Sequence, residues 1–154
     1  MFPSTVDRVP AHTAEEINEQ IRRQTEGSIA HYARAGSAAI ERRLKELDEE
    51  WDIERTLEAN AATASLIGLT LGATVDRRWF LFPAVVAGFL LQHALQGWCP
   101  PLPFFRSRGI RTASEIDYER YALKALRGDF RGVGGEPTVG NSHLAREAFK
   151  AAHV

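Results

Sequence analysis

Residues 59–105 read ANAATASLIGLTLGATVDRRWFLFPAVVAGFLLQHALQGWCPPLPFF, and only Asp76, Arg77 and Arg78 in this stretch are charged. The uncharged part after them, Trp79–Phe105, exceeds the roughly 20 apolar residues that a membrane-spanning helix needs. The uncharged part before them, 59–75, is close to the lower limit of about 17 residues and contains several polar side chains. The stretch therefore predicts two apolar helices joined by a short charged turn.

Small residues recur at every fourth position in both apolar segments. They are Ala64, Gly68 and Gly72 in the first segment and Ala84 and Gly88 in the second. This spacing lets two helix backbones approach closely in a membrane, whereas a helical glycine otherwise costs about 1 kcal/mol relative to alanine. We predict that these five residues pack the two helices against each other.

The ends of the second segment have the residues of a membrane interface. Trp79 and Trp98 bracket it, and indole rings prefer the boundary between lipid and water. Arg77 and Arg78 are placed to reach lipid head groups, so all four residues are predicted interface anchors.

The basic residues near the two segments predict their orientation. Within about 20 residues of the spans, eight lie outside the hairpin and two lie in its turn, which places both termini in the cytoplasm. The eight are Arg42, Arg43, Lys45, Arg55, Arg106, Arg108, Arg111 and Arg120.

Amphipathic helices are predicted before the hairpin. Thr13 and Glu16 have the spacing of a capping box, which predicts a helix over residues 14–35. Ser37 is predicted to cap a second helix. Since neither Pro nor Gly interrupts the next residues, this second helix is expected to continue unbroken over residues 38–75.

A shorter amphipathic helix is predicted after the hairpin. The CPPLP segment cannot continue the second apolar helix. Thr112 and Glu115 then form another capping pair, and Gly128 ends the helix. The predicted protein is all-α, with a two-helix transmembrane hairpin, a long amphipathic helix before it and a shorter one after it. Its parts are a cytoplasmic helical region (1–54), the hairpin with its Cys-Pro exit (55–111), a second cytoplasmic helix (112–130) and a flexible tail (131–154).

Four polar residues near the ends of the apolar segments are predicted to make contacts between the helices. They are Asn60, Gln92, His93 and Gln96. Ionisable groups inside a membrane segment are functional candidates, so His93 is also a candidate haem contact. Near the end of its helix, however, it is expected to meet water and head groups.

Cys99 is the only cysteine and the candidate thiol site. A thiol reacts when a neighbouring cation or a helix N-terminus lowers its pKa, and a free cysteine is otherwise a small buried apolar residue. The histidines are scattered and no second cysteine exists, so the sequence predicts no metal site and no cofactor.

The segment GWCPPLPFFRSRGIRT, residues 97–112, resembles the YgaP-like inner-membrane domain family. These small bacterial two-helix domains end their second helix in Gly-x-Cys-Pro, which is followed by a short apolar stretch, a glycine and a threonine. The matching positions are Gly97, Cys99, Pro100, Gly109 and Thr112. The resemblance covers residues 55–115 and implies a bacterial inner-membrane hairpin. Some relatives carry a fused rhodanese domain, for which this chain has neither a second cysteine nor room.

The sequence predicts association rather than catalysis. The net charge of −1 gives no reason to expect a nucleic-acid partner. No phosphate loop or nucleophile elbow occurs, and the carboxylates are expected at solvated helical positions. We expect a scaffold, accessory subunit or homo-oligomer whose partners are the lipid bilayer and other copies or subunits of a membrane complex. One alternative is a membrane thiol or sulfane-sulfur carrier acting through Cys99. Another is a soluble protein with the hairpin as its core.

Overall fold

The computed structural model describes residues 4–131, 133 and 142–153. All regular structure in these ranges is helical, which confirms the all-α class. The helices are α1 (Glu15–Ala35), α2 (Ser37–Glu49), α3 (Ile53–Thr74), α4 (Leu81–Gln96), α5 (Leu102–Ser107), α6 (Ala113–Arg127) and α7 (Ser142–His153), with 3₁₀ turns at Pro10–His12 and Arg77–Phe80.

The chain divides into two compact units. The first consists of Met1–Gln24 and Glu50–Ile116, and the second of Thr25–Glu49 and Asp117–Val154. The hairpin helices α3 and α4 belong to the first unit. Of the predicted flexible tail (131–154), residues 132, 134–141 and 154 lie outside the described residues, and helix α7 occupies Ser142–His153.

The predicted unbroken helix over 38–75 is wrong, because three residues separate the end of α2 from the start of α3. The Asp52 carboxylate accepts a hydrogen bond from the Arg55 N–H at 2.7 Å and so caps α3. The Ile53 N–H donates to the Arg111 carbonyl at 2.8 Å. These partners satisfy N–H groups that an unbroken helix would have paired internally.

The capping prediction at α6 is confirmed and the one at α1 is wrong. Thr112 N–H donates to Glu115 Oε2 at 2.7 Å, while Glu115 N–H donates to Thr112 Oγ1 at 3.2 Å. Gly128 follows α6 with φ of +94°. The hydroxyl of Thr13, in contrast, donates to the Val9 carbonyl at 2.8 Å.

Helix α4 ends at Gly97, whose φ of +84° is left-handed. A Cβ atom at this position would lie 2.3 Å from the Arg8 carbonyl oxygen, so both conformation and space require glycine. The CPPLP segment does not continue α4, as predicted, but Gly97 already ends the helix before it, and α5 begins at Leu102. Pro101 and Pro103 occupy the start of α5, where a missing N–H leaves no bond unmade.

Helices α3 and α4 pack against each other as a helical hairpin. Among the described residues, one helical stretch, Arg77–Gln96, is long and apolar enough to cross a membrane by length and composition, and 6% of it is buried. Helix α3 does not pass the same test, so a second span is not established. Large apolar side chains are nevertheless exposed on both helices, among them Leu66, Ile67, Leu69, Val75, Leu81, Val85, Leu91 and Leu95. Within the first unit this pair is therefore not enclosed as a core.

The contact between the two helices joins glycines of α3 to large residues of the turn and α4. A Cβ atom at Gly68 would lie 2.7 Å from Pro83 Cδ and 2.8 Å from Phe82 Cδ1. A Cβ atom at Gly72 would lie 2.8 Å from the Phe80 ring. Because Gly68 and Gly72 have no side chains, α3 leaves room for the rings of Phe80, Phe82 and Pro83.

The small residues predicted on α4 do not join this contact. Ala84 is exposed, and a Cβ atom at Gly88 would meet nothing within 4 Å. Ala64 lines a groove between the helices. At the interface between α3 and α4, large side chains of the turn and α4 pack against glycines of α3. The predicted packing of small residues of one helix against small residues of the other does not occur there.

The four predicted interface anchors differ in position. Arg77, Arg78 and Trp79 are exposed at the hairpin turn, and Trp79 contacts Phe82 edge to face at 6.4 Å. Trp98 instead packs against the apolar core of the first unit, so it is not a free anchor. That core consists of Val9, Ile53, Leu57, Cys99 and Leu102.

Several carboxylates expected at solvated positions form ion pairs with buried arginines in the first unit. Arg106 is 0% exposed and donates to both Glu115 oxygens, at 2.7 and 2.8 Å. Arg111 is buried and pairs with Glu50 at 2.7 Å. These two arginines, counted above as flanking positive charges, stabilise the protein interior.

The second unit contains a comparable buried pair. Glu119 is fully buried and accepts hydrogen bonds from Ser28 Oγ at 2.5 Å and Arg43 Nε at 2.9 Å. Lys124 is also buried, and its ammonium donates to the Ala152 carbonyl at 2.8 Å.

Candidate functional site

Three elements of the first unit bring a carboxylate, an imidazole and the thiol together. Glu54 lies in the first turn of α3, His93 lies in the last turn of α4, and Cys99 follows the left-handed Gly97. His93 is 1% exposed and Cys99 is 4% exposed. The expectation that His93 meets water and head groups is therefore wrong.

The imidazole is held by the carboxylate. His93 Nε2 lies 2.9 Å from Glu54 Oε2. Arg8 Nη2 donates to the other oxygen, Glu54 Oε1, at 2.7 Å. Arg8 Nη1 donates to the carbonyls of His93 and Ala94 at 3.1 and 2.9 Å, which satisfies acceptors at the end of α4. A single arginine thus fixes both partners of the pair.

The carboxylate contact fixes the tautomer of the ring. A carboxylate only accepts hydrogen bonds, so Nε2 of His93 carries a proton. Nδ1 of the same ring is buried without a hydrogen-bond partner in the described part of the chain. The Cys99 thiol interacts with the same ring, although it makes no aligned hydrogen bond to Nδ1.

Glu54 remains ionised in this setting. Burial raises the pKa of its carboxyl, but the hydrogen bond from His93 and the positive charges of His93 and Arg8 outweigh burial and leave the pKa below its ordinary value. The negative charge needed to orient the imidazole is therefore present at neutral pH.

An apolar groove of about 460 Å³ lies between the hairpin helices and reaches Cys99. Residues of α3, α4 and the Cys-Pro exit form its walls. Apart from the thiol, the amide of Asn60 is its one polar side chain. The lining residues are Leu57, Asn60, Ala61, Ala64, Phe82, Val85, Val86, Phe89, Leu90, Cys99, Pro100 and Pro101.

The order thiol, imidazole, carboxylate is that of an activated nucleophile. In such sites the imidazole takes the proton of the nucleophile, and the carboxylate fixes the ring and stabilises the imidazolium. His93 and Glu54 are paired in this way, and Cys99 has the chemical type of the third group, but no hydrogen bond joins it to the ring among the described residues.

The predicted polar contacts are met only in part. His93 does contact α3, but its partner is Glu54 and not Asn60. Within the described ranges, the side chains of Asn60, Gln92 and Gln96 make no hydrogen bond. Asn60 faces the groove, Gln92 is half-buried and Gln96 is exposed.

Sequence reasoning missed Glu54 and Arg8. Glu54 and Glu58 are one helical turn apart on the same face of α3, so spacing does not choose between them. The end of α4 lies level with Glu54, so His93 contacts Glu54 and not Glu58. This selection depends on how the two helices pack. No local signal identifies Arg8, which lies 85 positions from His93.

The described residues contain no group of three or more His, Cys, Asp or Glu side chains able to hold a metal ion. Comparisons with protein-family models, curated proteins and solved structures find no match to this chain. The resemblance of residues 55–115 to the YgaP-like family stays a prediction.

Proposed function

We propose that this protein is a small bacterial inner-membrane protein whose α3–α4 hairpin lies in the bilayer with both termini in the cytoplasm. It acts as a scaffold, accessory subunit or homo-oligomeric interaction module, without catalytic turnover of its own. The observation that carries the proposal is the exposure of large apolar side chains along both hairpin helices, with only 6% of the Arg77–Gln96 stretch buried. Monomeric soluble proteins rarely leave so extended an apolar surface uncovered.

The dimensions of α4 support a membrane location. Helix α4 and the preceding 3₁₀ turn together rise by about 32 Å, close to the roughly 30 Å of a hydrocarbon core. Exposed Trp79, Arg77 and Arg78 lie at the turn, where they suit the far interface. The polar cluster of Glu54, His93 and Arg8 would lie near the cytoplasmic interface.

The threonines of α3 reduce its cost in lipid. Thr63 donates to the Ala59 carbonyl at 2.8 Å, Thr70 to the Leu66 carbonyl at 2.8 Å, and Thr74 to the Thr70 carbonyl at 2.7 Å. Each hydroxyl is thus satisfied within its own helix, as hydrocarbon requires. The weaker hydropathy of α3 is compatible with membrane insertion beside α4.

The test is carbonate extraction of bacterial membranes that contain the full chain. We expect the native protein to stay in the membrane pellet. The double variant Val85→Asp/Phe89→Asp places two charges near the middle of the span, at about 3 kcal/mol each, and is expected in the wash. Tyr118→Asp, at an exposed position on α6, is the matched control and should stay in the pellet. Release of the native protein by carbonate would reject the membrane location.

Association is tested separately by cross-linking in native membranes. We expect a homo-oligomer or a defined complex with another membrane protein. Recovery of monomers alone would reject the interaction role.

The groove that reaches Cys99 favours a second candidate function, thiol chemistry at the membrane boundary. A thiol or sulfane-sulfur carrier acting through Cys99 is the form that the sequence suggested. It predicts that Cys99→Ser changes the behaviour of the protein in cells, whereas an unchanged phenotype would remove it.

A further inference from the structure

Helix α4 contacts α3 with one face and leaves the opposite face uncovered. On the contact face, Pro83 Cδ would lie 2.7 Å from a Cβ atom at Gly68, and His93 Nε2 lies 2.9 Å from Glu54 Oε2. Because successive residues of an α-helix are about 100° apart, the residues of the opposite face can be read from the sequence. All of them are exposed. They are Leu81, Ala84, Gly88, Leu91 and Leu95.

These five residues, named here the α4 seam, follow one another at intervals of three, four, three and four positions. This heptad spacing keeps one row of side chains facing a neighbouring helix when the two helices cross at about +20°. The leucines at both ends, Leu81 and Leu95, are 70% and 44% exposed, and Leu91 is 61% exposed. The α4 seam is about 21 Å long, which is two thirds of a hydrocarbon core of roughly 30 Å. It therefore has the spacing and the length of a helix–helix interface within a bilayer.

Gly88, at the centre of the α4 seam, has no packing role within the described part of the chain. A Cβ atom there would meet nothing within 4 Å, in contrast to Gly68 and Gly72 on α3. A glycine in the middle of a helix is unfavourable relative to alanine. Lipid chains would cover an alanine at this position as well as a glycine, so they give no reason for it. Small residues let two helix backbones approach closely in a membrane, which points to a helix from outside the chain.

We propose that the α4 seam is the interface of a parallel homodimer, in which α4 packs against α4 of a second copy of this chain and Gly88 faces Gly88. This inference rests on the proposed function, because the bilayer gives every copy the same orientation and so makes the two helices parallel. It identifies the surface that the homo-oligomeric form of that function would use.

The distribution of charge selects α4 over α3 for this contact. In a parallel symmetric pair each residue meets its own counterpart, so a charged residue would meet a like charge. The α4 seam contains no charged or polar side chain. The exposed face of α3 has apolar residues at a similar spacing, among them Ala62, Leu66 and Leu69, but the same row of this helix begins at Arg55. Two copies packed through α3 would bring their Arg55 guanidinium groups together at the lipid boundary.

The experiment is disulfide cross-linking of the full chain in native bacterial membranes, in a Cys99→Ala background that has no other thiol. A disulfide forms only where two Cα atoms come within about 7 Å. We expect oxidation to produce dimers of Ala84→Cys and of Leu95→Cys. Val85→Cys and Ala94→Cys are the matched controls, because each is the exposed neighbour of a seam residue at the same depth but points away from the seam. Neither control should form a dimer.

A second variant separates association from folding. Gly88→Leu meets open space within the chain, so the hairpin should keep its far-ultraviolet circular dichroism spectrum. In the dimer, however, two added side chains would hold the helices apart. Sedimentation equilibrium in a density-matched mild detergent should show self-association weakened about tenfold. Ala62→Leu, at an exposed position on α3, is the matched control and should associate like the native protein.

Three outcomes would overturn the proposal: equal yields of disulfide dimer at the seam positions and at their neighbours, unchanged self-association of the folded Gly88→Leu variant, or cross-linking of the seam cysteines only to a different protein. Failure of the proposed function is distinguishable from these. A protein that carbonate releases but that still forms dimers through the seam cysteines rejects the membrane location alone. A protein that stays in the membrane and oligomerises without any seam disulfide rejects this inference alone.

Discussion

Replacing Arg106 by glutamine tests whether the first unit depends on a buried charge. The guanidinium is 0% exposed and forms a fork with Glu115, at 2.7 and 2.8 Å. It also donates to Asn18 Oδ1 and the Ile110 carbonyl, both at 3.0 Å. The shorter, neutral glutamine cannot satisfy these acceptors, and Glu115 would be left as a partly buried, uncompensated charge.

The magnitude follows from that environment. Removing one partner of a buried ion pair costs about 3–5 kcal/mol. A domain of this size has a total stability of about 5–15 kcal/mol, so the change should consume a large share of it. For a chain of this length the loss corresponds to a fall of about 6–20 °C in the unfolding midpoint.

The assay is thermal unfolding in mild detergent, followed by far-ultraviolet circular dichroism. Arg22→Gln is the matched control, because Arg22 also pairs with a glutamate at 2.7 Å but its side chain is 60% exposed. An exposed pair of this kind contributes about 0–1 kcal/mol. Similar shifts of the unfolding midpoint for the two variants would refute this prediction, since burial would then not determine how much stability is lost when the arginine is replaced.

Two further predictions follow from the hairpin and from the buried carboxylates. Gly68→Leu should disrupt the hairpin, because even a Cβ atom there would lie 2.7 Å from Pro83 Cδ. Gly88→Leu is the control, since its side chain meets open space and should change the unfolding midpoint by only a few degrees. Equal loss of stability in both variants would contradict this packing. Burial raises the pKa of Glu54 and Glu115, but their hydrogen bonds from His93 and Arg106 outweigh it and leave both pKa values below the ordinary 4.5. The stabilisation that these two ionised carboxylates give the folded protein is complete above pH 4.5. It is lost as the pH falls through their lower pKa values in the folded state. The thermal unfolding midpoint, measured from pH 7 to pH 2, should therefore be constant above pH 4.5 and decrease below it. The decrease should be smaller for Glu115→Gln. A native midpoint that does not change with pH would contradict this prediction.

The sequence by itself determined the features that depend on neighbours along the chain. The Thr112–Glu115 capping pair was predictable because both hydrogen bonds close within three residues. The end of α4 at Gly97 and the prolines was predictable because backbone conformation is a local property. Two local predictions failed. Thr13 does not form the expected capping box of α1, and the chain breaks before α3, where Asp52 offers a cap but helical propensity alone does not require its use.

Only the tertiary structure decided which distant side chains meet. The pairing of His93 with Glu54 spans 39 positions and depends on how α3 and α4 are rotated about their axes. The bond from Arg8 to the His93 carbonyl spans 85 positions and depends on where the N-terminal segment packs. The same holds for Arg106, which reads as a flanking positive charge in the sequence and is fully buried in the fold. Helical periodicity indicates which residues share a face, but the neighbour of that face is set by packing between elements far apart in the chain. For this reason the sequence identified His93 as a candidate, and only the fold paired it with the ionised carboxylate of Glu54.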